Sequence, residues 1–351
     1  MTTELDEFLK NITPLNREAM EAARIYQASL AKPPESLGRL EELSIQLAGI
    51  TGNVHNRMDT PHLLVFAADN GVAEEGVSSA PQSVTLMQTI NLTRAKTGAS
   101  TLCKHFGVGI TVCDVGVKAD IHEPAVLNRK IAYGTRNMAK EPAMTREQAT
   151  RAILTGIGLA MRTEASALGV GEMGIGNTTT SAAVLSVLLD APVEQVTGRG
   201  GGITDEAFQK KKAVISSAIA VNQPDKNDVV DVLAKVGGLD IAAMCGAFLG
   251  AAATKRPVVI DGFISAISAY LAVMLSKTAK EYMIPTHGSA EPAAKLVMEH
   301  LGMQAPIQAG MHLGEGTGAI MGLSLIDQGL NVYYHVATWD GAHVEAYTHQ
   351  K

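Results

Sequence analysis

Apolar residues near the start of the chain recur at helical spacing. Leu40, Leu43, Leu47 and Ile50 fall three or four residues apart, and residues 12–31 (ITPLNREAMEAARIYQASLA) carry the same signature. The first 50 residues therefore read as helices, with Ser36 placed as an N-cap of the second. The pattern then changes to short, nearly continuous apolar runs that end in glycine or acidic turns. These lie at 62–72 (HLLVFAADNGV), 109–117 (GITVCDVGV), 165–177 (ASALGVGEMGIGN) and 256–263 (RPVVIDGF). Helix-like segments separate them, such as residues 144–165, 178–190 and 238–254. Strands alternating with helices predict an α/β fold with a mostly parallel sheet, whose ligands sit beyond the carboxyl ends of the strands. From about residue 289 the spacing is helical again, and the helical ends of the chain are expected to pack together as a small second domain.

Composition narrows the class. Apolar residues make up 46% of the 351 positions and charged ones 18%, which fits a packed globule and excludes disorder. A net charge of −6 argues against nucleic acid or an anionic membrane as partner, though not against a local pocket for a small anion. The N-terminus is acidic and amphipathic without the apolar core of a signal peptide, and no apolar run has membrane-spanning length. Cys103, Cys113 and Cys245 are scattered and odd in number, as expected of buried thiols in a reducing compartment. No metal or cofactor motif is found, so the expectation is a cytoplasmic enzyme that uses neither.

The candidate chemistry lies in the turns. In GVGEMGIGNTTTSAA (169–183) an apolar strand runs into Glu172, passes Gly174 and Gly176, and meets a helix beginning at Asn177–Thr179. Glycines and a helix N-terminus there suit a phosphate, while the plainer reading makes Asn177 an N-cap. GRGGGITDEAFQKKK (198–212) offers a second glycine loop followed by Lys210, Lys211 and Lys212. At most one of these lysines can face a ligand, since consecutive helical positions diverge. Asp69, Asp114 and Asp261 each end a strand-like run; any one of them serves a ligand or merely caps a turn. PTHGSAE (285–291) holds His287 and Ser289, but no G-x-S-x-G elbow supports a hydrolase, and Ser289 reads as a helix N-cap. In HLGEGTGAI (312–320) one carboxylate, Glu315, stands between two glycines. Taken alone, the spacing stops at an α/β enzyme for a phosphate-containing small molecule.

The segments KPPESLGRLEEL (32–43), AADNGVAEEGVSSAP (67–81), GEMGIGNTTTSAA (171–183), GRGGGITDE (198–206), IDGFISA (260–266), PTHGSAEPAA (285–294) and HLGEGTGA (312–319) go further. They resemble, in order, the motifs of the nicotinate-nucleotide:dimethylbenzimidazole phosphoribosyltransferases. The resemblance implies transfer of ribose 5-phosphate from nicotinate mononucleotide to the lower-ligand base of a cobamide, a benzimidazole, purine or phenolic. Nicotinate leaves, and the anomeric centre inverts from β to α. Glu315 is then the general base and Glu172 a second catalytic carboxylate. Gly174, Gly176, Asn177, Thr178, Thr179, Gly200, Gly201, Gly202 and Lys211 would hold the ribose phosphate. Asp261, Gly262, Ser289, Gly314 and Gly316 would line the nicotinate-ribose side, and Ala80, Pro81, Gln88 and Met173 the acceptor base. The implied fold is a Rossmann-like sheet flanked by helices in a large domain (56–288) carrying the active site. A smaller helical domain (1–55 with about 289–351) and a dimer, either a homodimer or a heterodimer with a paralogue, are also implied.

Four positions depart from the family pattern: Glu35 and Glu141 stand for glycine, Asn70 for histidine, and Gly201 for threonine. The last removes a hydroxyl from the phosphate side. Two competing readings remain open on the sequence alone: a nicotinate-nucleotide hydrolase, and a catalytically weak subunit that regulates an active paralogue.

Overall fold

A computed structural model describes residues 3–346. Six strands form one parallel sheet: β1 (Pro61–Ala68), β2 (Gly109–Gly116), β3 (Val126–Asn128), β4 (Ala167–Met173), β5 (Val258–Ile260) and β6 (Met283–Pro285). Their order across the sheet is β3-β2-β1-β4-β5-β6. In register, Leu64 of β1 lies between Thr111 of β2 and Val170 of β4. The chain winds outward from β1 to one edge, then returns and winds from β4 to the other. The winding thus reverses between β1 and β4, where an open parallel sheet leaves a crevice at its carboxyl edge. The α/β, Rossmann-like expectation holds.

Side chains alternate across the sheet with period two, and each face builds its own core. Leu63 and Val65 of β1, Val112 of β2, Ala167 of β4 and Val259 of β5 face one side. There they meet Leu43 and Leu47 of helix Arg39–Thr51, Cys103 of helix Gly98–Phe106 and Ile320, Leu323 and Ile326 of helix Thr317–His335. Leu64, Phe66, Cys113, Leu168, Val170, Val258 and Ile260 face the other. They are covered by helices that include Arg146–Arg162, Asn177–Leu189, Leu239–Ala253 and Phe263–Leu275. Because both faces are covered, the strands read as apolar runs rather than as alternating ones.

The ends of the chain meet. Helices Arg17–Ser29 and Arg39–Thr51 pack on one another, and the latter packs on Thr317–His335, which itself lies on the sheet. Leu30 and Thr338 form an isolated antiparallel bridge, the rings of Tyr26 and Tyr333 lie 4.6 Å apart, and Trp339 Nε1 donates to the Ala28 carbonyl at 3.1 Å. All three cysteines are buried and unpaired, and burial pushes the Cys103 and Cys113 thiols up to about 12. Among the described residues no helix is long and apolar enough to cross a membrane.

Three local expectations are corrected. β3 and β6 were not anticipated; three residues each, they are too short for a pattern and are strands because a neighbour pairs with them. Ser36 is not an N-cap: it lies in a turn, and Gly38 precedes the helix at Arg39. Ser289 does not cap the next helix, Ala294–Leu301, whose N-cap is Ala293; its hydroxyl accepts the Glu291 N–H at 3.3 Å instead.

Helices Arg146–Arg162 and Leu239–Ala253 cross with their backbones in near contact. A Cβ at Gly246 would overlap the Ile153 carbonyl, and one at Gly156 the Ala243 carbonyl. Neither neighbour is a flexible side-chain end. Gly246→Ala is therefore expected to destabilise by about 3 kcal/mol, the upper range of overpacking. Gly158→Ala, whose new methyl meets only the mobile end of Arg162, should be neutral or slightly stabilising. Denaturant midpoints would test this, and a Gly246→Ala protein as stable as the parent refutes the close-crossing argument.

Candidate active site

A cavity of about 980 Å³ opens at the carboxyl edge of the sheet beside the β1–β4 switch point. β4 supplies Glu172 and Met173, and the turn after it supplies Gly174, Ile175 and Gly176. Asn177 and Thr178 open the following helix, and Gly200 and Gly201 come from the second glycine loop. Asp261 and Gly262 follow β5, while His287, Ser289 and Glu291 follow β6. Ala80, Gly98 and the 309–314 loop, Gly314 included, close the remaining sides. The other expected residues lie outside this wall. Glu315, Gly316, Thr179 and Lys211 are buried behind it, whereas Gly202 and Pro81 are exposed and Gln88 is half-buried on helix Ser83–Thr93.

Three consecutive residues, Gly314, Glu315 and Gly316, take left-handed backbone angles (φ +82°, +61° and +91°). Glu315 is the non-glycine of the three, a conformation disfavoured by roughly 1–2 kcal/mol. What holds the loop is a pair of carboxylates beneath it. Asp261 accepts the N–H groups of Gly316 at 3.0 Å, Gly318 at 2.6 Å and Ala319 at 3.2 Å. Glu172 Oε1 accepts the Glu315 N–H at 3.3 Å. Gly171 and Gly318 permit the close approach: a Cβ at Gly171 would overlap the Glu315 carbonyl, and one at Gly318 the His287 ring. The Glu315 side chain turns to helix Gly98–Phe106, where Oε2 accepts the Ala99 N–H at 3.0 Å.

Asn177 is not the N-cap; Gly176 is. Freed from capping, the Asn177 side chain bridges two acids, its Nδ2 donating to Glu172 Oε2 and to Asp240 Oδ2. Burial and then the Asp240 charge push Glu172 up to about 8, while Asn177 and the Glu315 N–H oppose the shift. Asp240 is raised to about 6, again chiefly by burial. It was missed in the sequence, although a signal existed: it is the only charged residue between positions 236 and 253.

One residue further along the same helix, Thr178 Oγ1 accepts from Lys211 Nζ at 2.9 Å, and Lys211 Nζ also donates to the Gly198 carbonyl at 3.0 Å. Burial lowers this ammonium to about 8, with Glu291 opposing. Of the three adjacent lysines, Lys211 alone is buried, so it acts on the cavity through Thr178; Lys210 is exposed and Lys212 lies over the Phe208 ring. Of the three strand-end aspartates, Asp261 alone lines the cavity. Asp114 accepts the Gly116 and Val117 N–H groups and pairs with Lys130 at 2.8 Å, a turn-holding role. Asp69 accepts the Lys118 N–H.

A doubly wound parallel sheet, with carboxylates, glycine turns and helix N-termini gathered at its switch point, defines an α/β enzyme for a small-molecule substrate. Comparison with known proteins narrows the class. A family model described as a phosphoribosyltransferase matches residues 12–344. A protein of Clostridium tetani named nicotinate-nucleotide–dimethylbenzimidazole phosphoribosyltransferase is 44% identical over 337 residues, covering 95% of this chain and 93% of the relative. Its namesake in Acetivibrio thermocellus is 45% identical over 349 residues, 99% of each chain. The crystal structure of CobT from Thermus thermophilus matches with a TM-score of 0.89 at 36% identity, covering 93% of this chain and 99% of that one. The chain belongs to the nicotinate-nucleotide–dimethylbenzimidazole phosphoribosyltransferase family.

Two outcomes test the geometry. Asp261→Ala strands three buried amides at the head of Thr317–His335 and is expected to cost about 2–4 kcal/mol; an unchanged denaturation midpoint would show that the loop is held by something else. Glu172 gives a pH signature. Its unfolded carboxyl loses the proton near the ordinary 4.5, but the folded one keeps it to about 8. The folded state thus binds more protons across that interval, and stability falls as pH rises through it. Urea midpoints from pH 5 to 9 should show this slope reduced in Glu172→Gln; equal slopes would count against a protonated Glu172.

Proposed function

We propose that the enzyme transfers ribose 5-phosphate from nicotinate mononucleotide to an aromatic lower-ligand base of the dimethylbenzimidazole type, releasing nicotinate and an α-riboside phosphate. The relatives' names supply the two substrates. The observation that carries the assignment to this cavity is its polarity: donors suited to an anion and a set of carboxylates line one space of about 980 Å³ as two adjoining ends. At the first end, the N-terminus of helix Asn177–Leu189, the Gly200–Gly201 turn and the Lys211–Thr178 pair offer donors and positive charge to a phosphate. At the second stand Glu172, Asp261 and, behind Gly98 and Gly314, Glu315.

In this reading the acceptor nitrogen attacks C1′ of the ribose from the face opposite nicotinate. The C1′–N bond to the cationic nicotinate ring breaks as the new C1′–N bond forms, which inverts the centre in one step. The acceptor N–H proton passes to Glu315, the general base. Gly98 lies over that carboxylate on the cavity side, beside Leu313 and Thr317, and Oε2 is 3.5 Å from where a Gly98 Cβ would stand. Ala80 and Met173 offer the ring of the acceptor an apolar wall.

Nicotinate release from purified protein supplied with donor and acceptor should fall about 100- to 10,000-fold in Glu315→Gln. Turnover near that of the parent would remove Glu315 from the proton transfer. Release that is equally fast without acceptor would instead identify water as the nucleophile and overturn the transfer reading.

A further inference from the structure

A solitary charge in an apolar helix needs a reason to be there. Asp240 stands in the first turn of helix Leu239–Ala253, fully buried and outside the lining of the cavity. Gly174 and Gly238 wall it in: a Cβ at 174 would stand 2.7 Å from Oδ2, and one at 238 would overlap Oδ1. Asn70 and the Ile241 amide stabilise the Asp240 charge, yet Oδ1 lacks a well-formed hydrogen bond among the described residues. Oδ2 accepts from Asn177 Nδ2 at 3.1 Å, and that same nitrogen donates to Glu172 Oε2. Asp240 thus reaches the crevice through one amide group and one neighbouring acid.

We propose that Asp240 is a positioning residue for Glu172: through Asn177 it fixes the orientation of the Glu172 carboxyl and holds it in the crevice as a neutral hydrogen-bond donor. The physical reason is the shared amide. One NH2 group gives each acid one hydrogen, and two ionised carboxylates on it would set like charges side by side in a dry interior. One proton therefore stays with the pair. Asp240 sits at a helix N-terminus and is the better site for the negative charge, while Glu172 retains the proton. Of the other groups around Glu172, Asp261 acts in the same sense, while the Asn177 amide and the Glu315 N–H oppose it without outweighing burial and the Asp240 charge. Asp261, beyond β5, adds a further negative charge, with His287 Nε2 at 3.6 Å from its Oδ1. Glu315 offers Glu172 its backbone N–H while its own carboxylate faces Ala99. A neutral Glu172 does not repel a phosphorylated donor, and it leaves proton abstraction to Glu315. That catalytic consequence rests on the phosphoribosyl-transfer reading, whereas the protonation of Glu172 does not.

The experiment has two arms. Difference infrared titration of the substrate-free protein follows the protonated-carboxyl band that disappears in Glu172→Gln. That band should persist at pH 7 in the parent, and in Asp240→Asn its loss should move at least one pH unit lower, a tenfold or greater weakening of proton affinity. The pH profile of kcat/KM for nicotinate release should show an alkaline limb near pH 8, moved down in the variant by the same interval. Asp240→Ser, smaller than aspartate and uncharged, carries the same expectation should the asparagine variant fail to fold. A purely structural Asp240 would lower stability or turnover at every pH and leave band and limb in place, which overturns the proposal. So does a parent protein whose Glu172 is already ionised at pH 7. If the band moves as expected but no phosphoribosyl transfer occurs, the functional reading fails while the Asp240–Glu172 coupling stands.

Discussion

The architecture of the site depends on one carboxylate, that of Asp261. It leaves the end of a three-residue strand and takes three backbone amides from the head of helix Thr317–His335. Charge-assisted hydrogen bonds of this kind contribute roughly 1.5–3 kcal/mol each, which more than offsets the left-handed strain at Glu315. The bonds fix where the helix begins, and with it the Gly314–Gly316 loop, the reach of Glu315 to Ala99 and the amide offered to Glu172. A three-residue strand thereby positions an acid that lies far from it in the chain.

A parallel sheet starts every helix that follows a strand at the same edge, so helix N-termini accumulate there. Those at Gly98, Asn177, Phe263 and Thr317 all border the cavity. Each carries about half a positive charge. Glu315 occupies the first and Asp261 the last, which leaves the ends at Asn177 and Phe263, the former beside Lys211. The acids of the site are thus not only reagents. They neutralise two of the four helix ends and give the crevice an uneven charge, which is the asymmetry the proposed reaction calls on.

Much of this was legible in the sequence, and what was not has identifiable causes. β1, β2, β4 and β5 announced themselves because both of their faces are buried, and the glycine-rich turns after β4 and before Thr317 marked the crevice. Capping was misread at Ser36, Asn177 and Ser289 for a common reason: a polar side chain beside a helix start has competing partners that local sequence does not reveal. Asn177 spans two acids supplied by β4 and by a helix 63 residues further on, and its neighbour Gly176 takes the cap. Spacing alone could not separate Lys211 from Lys210 and Lys212; the family resemblance singled it out, and the fold shows which face of its helix meets Thr178. Asp240 carried a signal in its isolation among apolar residues, but its meaning required the glycines packed against it.

The order in which the chain is made adds a temporal dimension. β1 and β2 emerge from the ribosome early, yet Leu63, Val65 and Val112 are covered in part by Ile320, Leu323 and Ile326, more than 200 residues later. Until that helix arrives, one face of the nascent sheet is covered only in part, by helices Arg39–Thr51 and Gly98–Phe106, and Glu172 has neither the Glu315 amide nor its facing loop. Such long-range closure slows folding and leaves an apolar surface in need of shelter during synthesis. It also means that the crevice is completed late: a truncated or stalled chain holds Glu172 and the turn before Asn177 but lacks Glu315.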